Sequence, residues 1–191
     1  RDISLILRVC GMVCELQLNL EEVMDVKESP AGHGLYENTR LLNDDLLYAA
    51  MRGESDKVQE ALQGGANANV NDGRFGICAL SFGAVAGDMI MVTQLLTKGA
   101  DPCLVDNFGI LPAHRSAQFG FEDVTSKIVK AMLERQPAKH NRSAKAAKCF
   151  SEFLGVVVDK GWCDMARDLY AWWCKADATK PVPVLLHWVE L

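Results

Sequence analysis

Apolar residues recur at helical spacing through the middle of the chain, in three copies of one pattern. The copies occupy residues 46–53, 80–87 and 113–120, and each ends in a glycine, at intervals of 34 and 33 residues. After the second copy, Val92, Leu95 and Leu96 lie at i, i+3 and i+4, which is the spacing of one face of a helix. Each copy therefore predicts a pair of short helices joined at a glycine.

Small residues and further glycines complete the repeated unit. Two small residues in succession, Ala49-Ala50, Gly83-Ala84 and Ser116-Ala117, lie in the first helix of each unit and let neighbouring units approach closely. Gly65 and Gly99 are expected to adopt the left-handed conformation that commonly ends a helix. A single unit cannot bury its apolar face alone, so we expect the units to stack around one shared core.

This unit resembles the ankyrin repeat, which is about 33 residues long and consists of a β-turn finger followed by two antiparallel helices. Residues 111–117 match the Thr-Pro-Leu-His-x-Ala signature, residues 106–109 match the turn before it, and Gly99–Cys103 matches the usual close of the repeat. The resemblance covers residues 43–120. It implies an all-α ankyrin-repeat solenoid in which His114 is a hydrogen-bonding structural residue.

The pattern departs from the family in three places. No finger precedes Asn43, and the segment Asn71–Gly76 carries one extra residue. After Gly120 the expected apolar pattern arrives about one helical turn late, at Val129–Leu133. We expect the regular array to stop near Arg135, since no further Gly-Ala-Asp close follows.

The flanks are assigned by apolar spacing and by helix-breaking residues. Apolar residues within 1–25 recur at near-helical spacing and predict a helix that caps the first unit, whereas Glu28–Gly34 is predicted to be a loop. The apolar residues of 150–170, with Gly161 among them, resemble a degenerate fourth helix pair. The predicted organisation is an N-terminal capping helix and loop (1–42), ankyrin repeats (43–135), and a C-terminal helical extension of basic linker, degenerate helix pair and apolar tail (136–191).

Two C-terminal segments leave alternatives open. The tail 181–191 contains prolines, so it either folds back on the last helices or docks on something else. Residues 135–148 contain five Lys or Arg residues and no acidic one, which predicts a solvated linker and helix start, with contact to an acidic partner or RNA as the alternative.

Composition narrows the class of protein. A chain of 191 residues is typical of one domain, and its formal charge of −5 argues against general nucleic-acid binding. No run of about 18 apolar residues predicts a membrane-spanning helix. The seven cysteines show no paired framework, which favours an intracellular, most simply cytoplasmic, protein. Because the chain begins with Arg, we expect a processed or truncated form, and an organelle interior after transit-peptide removal is the alternative.

The sequence predicts neither an enzyme nor a metal or cofactor site. Cys10 and Cys14 could share a helix face, but structural zinc needs four ligands and no others lie nearby. His114 could serve as a base with Cys78 or Cys103 as nucleophile, although its position in the signature favours the structural role. The glycine-rich segments do not follow the phosphate-binding patterns.

A surface for binding another protein is the remaining candidate. In the ankyrin family, partners contact the finger tips and the exposed positions of the first helices. Carried over by position, the residues so implied are Met51, Arg52, Arg74, Phe75, Ile77, Val85, Asn107, Phe108, Ile110 and Phe119. The repeated Phe-Gly-Ile of 75–77 and 108–110 either contacts a partner or packs against the neighbouring finger.

The four tryptophans suggest a second surface. Trp172 and Trp173 are adjacent on one predicted helix and point about 100° apart, so we do not expect both to be fully buried. They either cap the core or form an interface together with Trp188 and the tail. The predicted function is that of an adaptor, inhibitor or regulatory subunit. The alternative is an architectural or peripheral subunit of a large, membrane-associated, organellar assembly, buried through its N-terminal helix and Trp-rich end.

Overall fold

A computed structural model describes residues 3–9, 12–18, 30–135 and 144–176. The chain divides into two compact units, Arg1–Leu41 and Leu42–Leu191. In the first unit, strands β1 (Ile3–Val9) and β2 (Met12–Leu18) pair antiparallel, with Ile3 opposite Leu18 and Val9 opposite Met12.

The predicted N-terminal helix is therefore wrong. Alternate positions of β1, at residues 3, 5, 7 and 9, are apolar and are paired with apolar positions of β2, and this period of two is that of a strand. The near-helical spacing was an incidental match in a segment that is apolar at most positions. Cys14 lies in β2, so it has no place on a shared helix face, and Cys10 lies outside the described residues.

Where it is described from residue 30 onward, the chain is all-helical between its loops, as predicted. The helices there are α1 (Pro30–Arg52), α2 (Ser55–Gln63), α3 (Ala79–Ala86), α4 (Met89–Thr97), α5 (Pro112–Phe119), α6 (Glu122–Leu133), α7 (Ala144–Asp159) and α8 (Cys163–Ala176). The loop predicted at Glu28–Gly34 is wrong from Pro30 onward, because that proline is the first residue of α1. Proline is tolerated in the first helical turn, where its missing N–H has no intrahelical acceptor.

The helices from α2 onward pack in two rows. The first helices of successive pairs, α3, α5 and α7, pack one on the next, and the second helices, α2, α4, α6 and α8, do the same. The two helices of each of the last three pairs also contact each other. The fourth pair, α7 and α8, thus continues the two rows, as the degenerate pattern of residues 150–170 predicted.

The glycine between the two helices of each pair has the left-handed conformation, with φ of 74°, 67°, 80° and 77° at Gly53, Gly87, Gly120 and Gly161. At Gly87 a second constraint applies, because an added Cβ would lie 2.9 Å from the ring carbon Cδ1 of Phe121. Phe121 directly follows Gly120, the glycine between the two helices of the next unit. Gly87 therefore serves both the turn and the packing between units.

The small residues of the first helices act differently from the prediction at one position. A Cβ added to Gly83 would lie 3.1 Å from Sδ of Met91, which belongs to α4 of the same pair. The close approach at this position is therefore between the two helices of one unit, not between neighbouring units. It lets Met91 be completely buried.

One continuous apolar core joins the helix pairs. It includes fully buried side chains from every pair: Leu46, Val58, Leu80, Leu95, Ile128, Met132, Phe153, Leu154 and Leu169. Helices of neighbouring pairs pack on one another around this core. The burial of each pair thus depends on the next.

A series of polar contacts extends along the loops that follow the second helices. The side-chain Oδ1 of Asn69 accepts the backbone N–H of Asp101 at 2.6 Å, and the Asp101 carboxylate pairs with Nη1 of Arg135 at 3.1 Å. The carbonyl of Arg135 in turn accepts the indole N–H of Trp172 at 2.8 Å. Arg135, predicted as part of a solvated linker, therefore connects the third unit to the fourth.

Two glycine variants test the packing at the turns. We expect Gly87→Ala to lower the free energy of unfolding by about 2–3 kcal/mol, because Ala has an unfavourable φ there and displaces the Phe121 ring. Gly53→Ala is the matched control, since its φ is also positive but no atom lies within 4 Å of the added Cβ. It should cost about 1 kcal/mol. Equal losses in urea denaturation would show that Phe121 does not constrain this site.

Candidate protein-binding surface

An aspartate closes each of the fingers that precede α3 and α5. Oδ1 of Asp106 accepts the backbone N–H groups of Phe108 and Ile110 at 2.9 and 2.8 Å. In the first finger, Oδ1 of Asp72 accepts the backbone N–H groups of Phe75 and Ile77 at 2.9 and 3.0 Å. This turn is one residue longer than the turn at Asp106. The extra residue predicted for this finger is thus accommodated without losing its hydrogen bonds.

The second finger is anchored to the helix that follows it. The Asp106 side chain is only 1 % exposed, and its Oδ2 pairs with the guanidinium of Arg115 on α5. A buried carboxylate needs such partners, because burying an unpaired charge is costly. The Asp106–Arg115 pair therefore keeps the turn in one position relative to the helix.

The two fingers are joined through Asn107. Its backbone N–H donates to the carbonyl of Phe75 at 2.9 Å, and its Nδ2 donates to the carbonyl of Arg74 at 3.0 Å. A Cβ on Gly76 would lie 2.8 Å from Oδ1 of Asn107, so only glycine fits there. Asn107, predicted to contact a partner, thus has a structural role between the fingers.

The side chains of Arg74, Phe75 and Phe108, here called the finger-tip cluster, stack on one another. The rings of Phe75 and Phe108 are 6.1 Å apart between centroids and inclined by 23°, and the guanidinium carbon of Arg74 lies 5.0 Å from the Phe75 centroid. Phe75 is 40 % exposed and Phe108 is 58 % exposed. The two rings therefore pack against each other and also remain accessible to a partner. Both of the alternatives raised by the sequence apply to this pair.

The other residues predicted to bind a partner are either exposed or half-buried. Met51, Arg52 and Phe119, in the last turns of α1 and α5, are exposed, whereas Val85, in the last turn of α3, is half-buried. Ile77 and Ile110 are also half-buried, so less of each is open to a partner. The predicted residues therefore form two groups, at the finger tips and at the ends of the first helices.

Exposed apolar residues that the sequence did not indicate lie at the starts of the second helices. Ile90 is 66 % exposed and Met89 is 36 % exposed at the start of α4. Phe121, 38 % exposed, stacks on Phe119 with 6.3 Å between ring centroids. The helical pattern marks the buried face only, so it carried no signal for these positions. The sequence Phe-Gly-Phe at 119–121 is the one local feature that could have drawn attention to them.

The expectation that Trp172 and Trp173 are not both buried is wrong. Trp172 is 6 % and Trp173 is 8 % exposed, so both are buried although they point in different directions. Trp173 stacks on Phe150 of α7 with 4.2 Å between centroids, while Trp172 reaches the carbonyl of Arg135. Helix α8 is covered on two sides, which its own pattern could not reveal. Trp188 and the tail 181–191 lie outside the described residues.

The surroundings of His114 and Cys103 do not favour their alternative roles as base and nucleophile. His114 is buried, with its ring 5.7 Å from that of Phe153 and its Nε2 3.2 Å from Nε2 of Gln118. Burial lowers the pKa of His114, and the nearby carboxylate of Glu152 opposes this only in part. Burial, with a contribution from Asp101, raises the pKa of Cys103 to about 12, so its thiol is not a thiolate near neutral pH.

The described residues contain neither a metal-binding cluster nor a membrane-spanning helix. No group of three or more His, Cys, Asp or Glu side chains among the described residues is arranged to hold a metal ion. In these ranges no helix has both the length and the apolar character needed to cross a bilayer. No protein-family model matches the sequence.

Acidification tests the environment of His114. Because its pKa is lowered in the folded chain, the unfolded state binds the proton more readily, with a pKa of about 6.5. The stabilisation from a neutral His114 is thus present above that pH and is lost as the pH falls below it. We expect the free energy of unfolding to drop between pH 7.5 and 5.5, and the drop to be smaller in His114→Leu. Parallel pH profiles of the two proteins would contradict this assignment.

Proposed function

We propose that this chain is a non-catalytic protein-binding module, built as an ankyrin-type stack of helix pairs. Support for the ankyrin type comes from the glycine-joined pairs in two rows and from the aspartate-closed fingers before α3 and α5. The repeated spacing of 34 and 33 residues agrees with this arrangement. The partner would be another protein, which the chain would bind as an adaptor, inhibitor or regulatory subunit.

The observation that carries the proposal is the exposed pair Phe75 and Phe108. Two large aromatic side chains remain 40 % and 58 % exposed on turns whose backbone is held by hydrogen bonds to Asp72, Asp106 and Asn107. Such a surface loses little conformational entropy on binding. Aromatic anchors of this kind contribute about 2 kcal/mol or more each at protein interfaces.

The ends of the first helices supply a second contact region. Met51, which is 57 % exposed, and the half-buried Val85 each lie two residues before the glycine of their units, and Phe119, which is 61 % exposed, lies one residue before Gly120. Arg52 adds an exposed cation beside Met51. Apolar side chains with a polar neighbour are typical of interface cores and rims.

The alternative, an architectural subunit buried through its Trp-rich end, has less support from the described residues. Trp172 and Trp173 contribute to the chain's own core, so they do not offer a surface to another subunit. The strands at residues 3–18 also replace the N-terminal helix on which that alternative depended. The finger tips are therefore the better-supported binding surface.

A photo-crosslinking residue introduced at position 108 tests the proposal. We expect it to capture a specific protein from the native source, because Phe108 would lie within the interface. The same residue at position 90 is the matched control, since Ile90 is even more exposed but lies at the start of α4. Equal capture at both positions would argue against a finger-tip interface.

The captured protein then allows a quantitative test. We expect the double variant Phe75→Ala, Phe108→Ala to bind it at least tenfold more weakly, with helical content nearly intact. Ile90→Ala should bind as the wild type does. Unchanged affinity of the double variant would contradict the proposal, and a large loss of thermal stability would assign the two rings to finger packing.

A further inference from the structure

The finger-tip cluster carries a charge that the described part of the chain does not neutralise. Arg74 forms none of the ion pairs found there, and its guanidinium lies against the face of Phe75, 5.0 Å from the ring centroid. The nearest carboxylate in sequence, that of Asp72, is already an acceptor for two backbone N–H groups of the turn. The guanidinium donors of Arg74 are thus available to an acceptor from outside.

The position of this cation is set before any partner arrives. The carbonyls of Arg74 and Phe75 both accept hydrogen bonds from Asn107, at 3.0 and 2.9 Å. Phe75 in turn stacks on Phe108, so the Arg74 cation and two partly exposed rings follow one another. Arg74 is exposed, so the ring covers only one face of its guanidinium and the charge stays accessible to an anion.

We propose that the finger-tip cluster binds a partner segment in which an aspartate or glutamate lies next to an aromatic residue. The carboxylate would accept two parallel hydrogen bonds from the Arg74 guanidinium, the geometry in which arginine binds carboxylates best. The aromatic side chain would pack on the exposed part of Phe108. This inference rests on the function proposed above, since it names the chemistry of the segment bound at that surface.

A single-stranded nucleic acid is the rival occupant, because a base can stack on an aromatic ring while a phosphate contacts an arginine. The charge of the chain disfavours it. Backbone phosphates are bound by several cations along a groove, whereas the cluster holds one arginine in a chain of formal charge −5. An acidic segment with a neighbouring aromatic residue needs only the one cation that is present.

Selection of random 12-residue peptides displayed on phage, with the full chain immobilised, tests the inference. We expect the enriched peptides to contain an acidic residue within two positions of Phe, Tyr or Trp several times more often than the starting library does. Arg74→Gln should abolish the acidic preference and keep the aromatic one, whereas Phe108→Ala should abolish the aromatic preference. Lys98→Gln, an exposed cation removed at the end of α4, should change neither.

Charge reversal separates recognition from a merely structural role of Arg74. We expect selection on Arg74→Glu to exchange acidic residues for Lys and Arg beside the aromatic position, with the circular dichroism spectrum unchanged. The inference is overturned if no Arg74-dependent acidic preference appears in the wild-type selection, or if that preference survives Arg74→Gln. It is also overturned if a labelled random single-stranded RNA binds the chain and Arg74→Gln weakens that binding.

The same selections distinguish failure of this inference from failure of the proposed function. Peptides whose enrichment depends on Phe75 and Phe108 but lacks an acidic residue would contradict only the partner chemistry. Enrichment that is unchanged in the Phe75→Ala, Phe108→Ala variant would place binding elsewhere on the chain and contradict the proposed surface as well.

Discussion

The burial of each helix pair against the next is the constraint on which the rest of this structure depends. Leu80, Ile128 and Phe153 are completely buried, and they belong to three different pairs of one core. No pair is long enough to enclose such side chains by itself, so the rows of helices form together. The close fits follow from this, since Gly83 admits Met91 within a pair and Gly87 admits Phe121 from the next unit.

A stack of this kind also determines where side chains can remain exposed. The fingers precede the first helices, and the side chains at their tips, Phe75 and Phe108, lie outside the buried core. They are nevertheless ordered, because Asp106 is held by Arg115 and Asn107 bonds to the preceding finger. Exposure combined with a fixed backbone is what a binding surface requires. The finger-tip cluster has both, and its arginine and aromatic rings are residue types that concentrate binding energy.

Prediction from the sequence succeeded where a local pattern had one interpretation. The helix pairs of residues 46–63, 79–97 and 112–133 follow the periodicity, and Gly65 and Gly99, after the second helices, have the expected left-handed conformation, with φ of 99° and 88°. It failed at residues 3–18, where a segment apolar at most positions satisfies the helical and the strand period alike, and where antiparallel pairing of β1 with β2 decided the outcome. It failed again at Pro30, because a proline that stops one helix is also suited to start another.

The sequence by itself determined the positions of the helix pairs, the glycines that join them and the turns of the fingers, because all of these depend on residues close together in the chain. Only the tertiary structure decided which side chains are covered. Trp172 and Trp173 are buried because helix α7 and the carbonyl of Arg135 lie on different sides of α8. Phe75 and Phe108 meet because successive fingers stand side by side, 33 residues apart along the chain. Such contacts join residues that are far apart in the sequence, so periodicity indicates which face of a helix is apolar but not what covers it.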